Sequence, residues 1–140
     1  MRSRGIALTM ASLAAPAPPT ALGSFKFAEG AGGDCLEASV NFLVLRGPPT
    51  RLVSGDVTVE GRQIRHVWVE DGPWAYEMSR GQELQIDVTA YRATMKAANV
   101  HSLGYEAVAK LLRDNMDDTG TVTAEPLWKA LNQKPRRWRR

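Results

Sequence analysis

The spacing of apolar residues changes period twice along the chain, and no other feature constrains the fold as closely. Over residues 34–46, Leu36, Val40, Leu43 and Val44 recur at the i, i+4, i+7, i+8 positions of an amphipathic helix. From residue 53 the period drops to two. Val53, Val57 and Val59 alternate with Ser54, Asp56 and Thr58, and Ile64, His66 and Trp68 alternate with Arg65, Val67 and Val69. This is the repeat of strands with two distinct faces. Past residue 88 the helical period returns.

Punctuation agrees with that division. Asp34 followed by Glu37 has the spacing of a capping box, and Gly47-Pro48-Pro49 stops the helix, so Cys35 is expected at its first position. Glu60-Gly61, Asp71-Gly72 and Ser79-Arg80-Gly81 mark turns between runs ending with Trp74–Met78 and Glu83–Val88, giving an antiparallel meander of about four strands. A short helical segment is expected near residues 89–98. A further helix is expected after a Ser102 cap, carrying Tyr105, Val108, Leu111 and Leu112, and residues 117–120 break it. Leu127 and Trp128 are expected to pack back onto the body, and His101 to lie in a loop. The order predicts an α+β fold: an N-terminal helix packed on an antiparallel sheet of about four strands, with C-terminal helices.

The chain has 140 residues, 44% of them hydrophobic, which suits one domain with a core and is too short for two. That domain is expected over residues 34–131. Residues 1–33 are rich in Ala, Pro, Gly and Ser without periodicity and read as disordered or processed. Arg2 and Arg4 ahead of residues 6–15 imitate a secretory signal, although Pro18 would hinder cleavage after Ala17, and Met10 is an alternative start. No apolar run approaches membrane-spanning length. The expected location is therefore the cytoplasm of a bacterium or phage-infected host, with secretion as the alternative. Residues 132–140 form a basic tail, in which Lys134, Arg136, Arg137, Arg139 and Arg140 supply five positive charges. Of the formal net charge of +3, the other residues thus carry −2. With Trp138 for stacking, the tail is a candidate for weak nucleic-acid contact.

One cysteine excludes a disulfide framework, and with only His66 and His101 beside it no metal site and no cofactor are expected. A thiol at a helix N-terminus is nevertheless a good nucleophile, because the first-turn amides favour thiolate and can stabilise a neighbouring oxyanion. If Asp71-Gly72 forms a two-residue loop, Glu70 faces Pro73, Trp68 faces Ala75 and His66 faces Glu77 on one sheet face. Cys35, His66 and Glu77 would then supply a nucleophile, a base and an acid that orients the base. Glu70 is expected to bond backbone at the turn, and Trp68, Trp74 and Tyr76 to form core and cleft wall.

Cys35 at a helix start, Gly55 in the next strand, His66-Val67-Trp68-Val69-Glu70, Trp74 and Glu77 resemble the order of papain-like cysteine peptidases, most of all their transglutaminase-like branch. The resemblance covers residues 34–91. The chain is also similar to small proteins of phage and bacterial genomes that share Leu52-Val53-x-Gly55-x-Val57, His66-x-Trp68-x-Glu70 and an acid before Ser79-x-Gly81. The resemblance implies a cysteine hydrolase or acyltransferase acting on amide bonds of a protein or peptide substrate, without a cofactor. Glu77 stands where the family usually has Asp or Asn, and Asp87 is the substitute acid. The competing expectation is a non-enzymatic binding or inhibitory protein that uses such a scaffold to hold a host protein or nucleic acid.

Overall fold

A computed structural model describes residues 25–28, 33–79 and 82–132. The signal-like segment, the Met10 start, the Arg80-Gly81 part of the third turn and the basic tail from residue 133 lie outside the described residues. In chain order the elements are β1 (Lys26–Phe27), α1 (Gly33–Arg46), β2 (Arg51–Val59), β3 (Arg62–Asp71), β4 (Trp74–Ser79), β5 (Gln82–Asp87), α2 (Val88–Met95), β6 (Ala98–Gly104), α3 (Tyr105–Asp114), β7 (Thr121–Val122) and α4 (Glu125–Asn132). The fold is α+β, with a five-stranded sheet in the order β5-β4-β3-β2-β6.

Helix α1 stops where its sequence says it should. Gly47 takes φ +81° and its N–H returns to the Leu43 carbonyl at 2.9 Å, the left-handed closure that glycine accepts without a steric penalty. Its start differs from expectation. The helix begins at Gly33, so Asp34 lies inside it and Cys35 is the third residue rather than the first. An acidic residue is favourable both as an N-cap and within the first turn, so the Asp34–Glu37 spacing does not distinguish the two.

The β2–β3 hairpin closes at Glu60-Gly61, with φ +51° and +77°, the two positive angles a type I′ turn requires. The β3–β4 hairpin corrects the expected register. Its pairs are Asp71↔Trp74, Glu70↔Ala75 and Val69↔Tyr76, so Gly72-Pro73 is the loop and Asp71 is in the ladder. Gly72 supplies the positive φ of +58° at the first loop position. Pro73, which has no N–H to give a ladder, belongs in the second position rather than in a strand.

Strand β6 is a further departure. It lies antiparallel to β2 with Ser54 opposite His101, so His101 is a strand residue and Ser102 no helix cap. The Ser102 hydroxyl instead accepts from Arg51 Nη2 at 2.9 Å, and α3 starts from Gly104. Ala, Asn and Gly are poor strand formers, and on this half-exposed edge pairing with β2 outweighs propensity. Helix α4, which periodicity leaves undefined, buries Leu127 and Leu131. Within residues 1–33, β1 pairs in parallel with β7, and Phe25 and Phe27 pack on the core.

Two apolar clusters separate the sheet faces. Leu36, Val40 and Leu43 of α1 share one with Leu52, Val67, Val69, Tyr76, Val108 and Leu112. Val53, Val57, Trp68 and Ala75 share the other with Tyr91 of α2.

Candidate active site

The sheet forks. Pairing of β3 with β4 ends at Val69↔Tyr76, while β3 continues along β2 back to Arg62 and β4 continues along β5 to Ser79. Residues 66–67 of β3 and Glu77 of β4 therefore border a gap. Cys35 packs with the α1-side cluster, whereas His66 alternates with Val67 and points with Trp68 to the α2 side. The thiol and the imidazole are nevertheless close enough for each to shift the other's ionisation, and the Val67 backbone N–H favours the thiolate as well. They meet through the opening between the strands.

His66 Nε2 lies 2.9 Å from Glu77 Oε1 and 3.0 Å from Oε2. With Nε2 held there, Nδ1 is the nitrogen left to face the sulfur. Carried past its last pair, the observed register sets Glu77 opposite Trp68 and diagonal to His66, rather than directly opposite as expected. A shift of two residues keeps the same face, so the contact survives the change of register. Tyr91 of α2, 4% exposed, donates its hydroxyl to Glu77 Oε1.

A second acid ties α2 to β3. Glu70 accepts from the Trp68 indole N–H at 2.8 Å and from Arg92 Nε and Nη2, both at 2.8 Å. Its partners are thus side chains, not the backbone of the turn, because β3 directs residues 68 and 70 to one face. Trp68 is fully buried and stacks on His66 at 6.1 Å between ring centroids. Gly55, the ladder partner of His66, leaves room for that indole. A Cβ there would come within 3.1 Å of both Trp68 and Val100.

The electrostatics favour a charged pair. Burial opposes ionisation of Cys35, but the His66 hydrogen bond and charge, with the Val67 amide, hold its pKa below the ordinary thiol value. Burial likewise opposes the imidazolium, yet hydrogen bonds to Cys35 and Glu77 push the His66 pKa up to about 9. Burial and then Glu77 drive the Tyr91 hydroxyl upward, so it stays protonated and keeps donating.

A cavity of about 620 Å³ opens on the α2 side, between β3, β5 and α2. His66 and Glu77 line it, and Cys35 does not. Comparison with models of protein families, with curated proteins and with solved structures finds no match to this chain.

Of the residues singled out by sequence, Cys35, His66 and Glu77 come together. Asp87 does not join them: its carboxylate caps α2, accepting from the Ala90 N–H at 2.9 Å, because β5 ends where that helix starts. Trp68 and Tyr76 are core, whereas Trp74 is 40% exposed at the hairpin end. Tyr91 and Arg92 carried no signal in the sequence, since nothing in residues 88–95 says which side of the helix meets Glu77 and Glu70. Among the described residues no group of three His, Cys, Asp or Glu could hold a metal ion, and no helix is long and apolar enough to cross a membrane.

Proposed function

We propose that this chain is a small cysteine hydrolase or acyltransferase acting on amide bonds of a protein or peptide, with Cys35 as nucleophile, His66 as base and then acid, and Glu77 orienting the imidazole. One observation carries the reading: the His66 imidazole is bonded to the Glu77 carboxylate across the fork of β3 and β4, and α1 sets Cys35 near enough for His66 to hold its pKa down. A cross-strand His–Glu pair that only stabilised a hairpin would have no reason to meet a thiol in a gap of the sheet. The order of these residues and the surrounding motif resemble papain-like cysteine peptidases of the transglutaminase-like branch, with Glu77 in the place of Asp or Asn. The added methylene is accommodated by the diagonal placement of Glu77, and both its oxygens reach Nε2.

The chemistry follows from the charged pair. The Cys35 thiolate attacks the carbonyl carbon, forming an S–C bond. As the tetrahedral centre collapses, the C–N bond breaks and the His66 proton passes to the departing amine. Water, or an amine in an acyltransferase, then gives its proton to His66 and releases the acyl group. The amide of Cys35, among the first four of α1 and so without an acceptor inside the helix, is available to the oxyanion.

Iodoacetamide alkylation of Cys35 across pH tests the reading, comparing the intact chain, His66→Ala and a denatured sample. The site predicts alkylation below the ordinary thiol pKa of about 8.5, with the excess over the denatured chain lost in His66→Ala. An inert thiol, or one indifferent to His66, overturns the hydrolase and favours a binding protein.

A further inference from the structure

The cavity between β3, β5 and α2 changes character with depth. Val59 of β2, Ile64 of β3 and Leu84 of β5 stand at its mouth, 39%, 42% and 46% exposed, and Ile86 and Met95 continue the apolar wall. At its inner end lie Tyr91, 4% exposed, and the side chains of His66 and Glu77, each 12% exposed. These three are its ionisable lining groups among the described residues, and Glu77 is hydrogen-bonded to both of the others. The remaining polar side chains of the lining, Gln82 and Thr94, are neutral.

Apolar side chains held open to water around a hollow gain free energy when something apolar fills it. The hollow, about 620 Å³, has the size of a small-molecule site, and a flat partner surface laid over its mouth would leave it empty. Charge narrows the choice of ligand. An anion would meet the Glu77 carboxylate with no lysine or arginine in the described lining to offset it, and a cation would compete for a carboxylate that His66 and Tyr91 already hold. Either would give up hydration without an equivalent partner, a cost that an uncharged aliphatic body does not meet. Cys35 packs with the α1-side cluster and is not in the lining, so a ligand in the cavity and a reagent at the sulfur lie on different sides of the sheet. We propose that the cavity is a binding site for an uncharged, mainly aliphatic small molecule, occupied independently of the thiol. The inference goes beyond the acyl-transfer reading: it assigns no part of a reacting substrate to the cavity and holds whether or not Cys35 is a nucleophile.

Titration of the full chain with 1-butanol, 1-pentanol and 1-hexanol tests the site, read from the isotope-labelled methyl resonance of Met95, assigned with Met95→Leu, and from the imidazole resonances of His66. Both should move to saturation together, with Kd tightening roughly three- to fourfold for each added methylene. Hexanoate should bind at least about tenfold more weakly than 1-hexanol. Ile64→Gln and Leu84→Gln, at partly exposed positions where the fold tolerates a polar side chain, should each weaken 1-hexanol at least about threefold. Leu45→Gln, which removes an 87% exposed side chain of α1 outside the cavity, should leave it unchanged. The chain carrying an iodoacetamide-alkylated Cys35 should bind 1-hexanol within about twofold of the free thiol. Resonances that do not move or do not saturate overturn the inference, and so does hexanoate that binds as tightly as the alcohol. Binding lost on alkylation puts the ligand in the thiol's own site and overturns it as well, as does a concentration-dependent dimer abolished by Leu84→Gln, which would give the mouth to a second copy of the chain. A thiol inert to iodoacetamide overturns the hydrolase reading alone, and the alcohol titration then decides this inference by itself.

Discussion

Tyr91 and His66 bond the same oxygen of Glu77, one from helix α2 and the other from strand β3. The carboxylate is thereby fixed from two elements and cannot turn away from the imidazole without leaving a buried hydroxyl unpaired. Helix α2 is in turn held by the paired Arg92–Glu70 contacts. Glu77 needs this support because β4 has already left β3 at that point.

Tyr91→Phe removes the donor and keeps the ring that packs on Trp68 at 5.3 Å. Loss of a hydrogen bond to a charged acceptor should cost about 1.5 to 3 kcal/mol, read as a lower urea midpoint with an unchanged slope. Iodoacetamide reactivity of Cys35 should also fall, because the carboxylate loses its anchor. Unchanged stability would mean the hydroxyl contributes nothing to the site.

Glu77→Gln and Asp87→Ala should separate the two acids. The first removes the charge that holds the imidazolium, so the His66 titration should drop from about 9 toward 6.5 in an imidazole NMR titration. The second removes the α2 cap and should cost about 0.5 to 2 kcal/mol, with the His66 titration left where it was. A large His66 shift in Asp87→Ala would contradict the assignment of Glu77 as the orienting acid.

The pH dependence of stability has a definite sign for each partner. His66 is raised in the folded chain, from 6.5 to about 9, so its contribution is complete below 6.5 and is lost as pH rises through 9. Cys35 is lowered from 9.0, so its contribution is present above 9.0 and is lost as pH falls through the depressed value. Below 9 the two slopes oppose each other. Cys35→Ser removes the opposing slope and also the first of the contacts that raise His66, so its folded titration should fall below 9 while Glu77 still holds it above 6.5, and urea stability should decline above pH 6.5 more steeply than that of the unaltered chain, over a window that closes before pH 9. Parallel curves would rule out a thiolate–imidazolium pair.

Gly55→Ala should disturb the site from the opposite side of β3. The new methyl would press within 3.1 Å on Trp68, a fully buried indole stacked on His66, and on Val100. Overpacking of this kind typically costs about 1 to 3 kcal/mol. The urea midpoint should fall accordingly. A neutral effect would show that the indole has room to move, and that Gly55 is not needed for its placement.

By itself the sequence determined the helix over Leu36–Val44, its stop at Gly47, the two-residue period of β2 to β5, and the face shared by His66 and Glu77. These depend on local φ, on the 3.6- and 2-residue repeats and on parity along a strand, all of which are written in neighbouring residues. Parity is why the site remained legible although the β3–β4 register was misplaced by two residues. Tertiary structure alone decided that β6 adds to β2, that α4 forms over Leu127 and Leu131, that Asp87 caps α2, and that β3 and β4 part after Val69↔Tyr76. It also brought Tyr91 to Glu77. Such outcomes are settled by competition among surfaces distant along the chain: an edge needing a partner, a helix end needing an acceptor, and a thiol on one face of the sheet reaching an imidazole on the other only where the ladder opens.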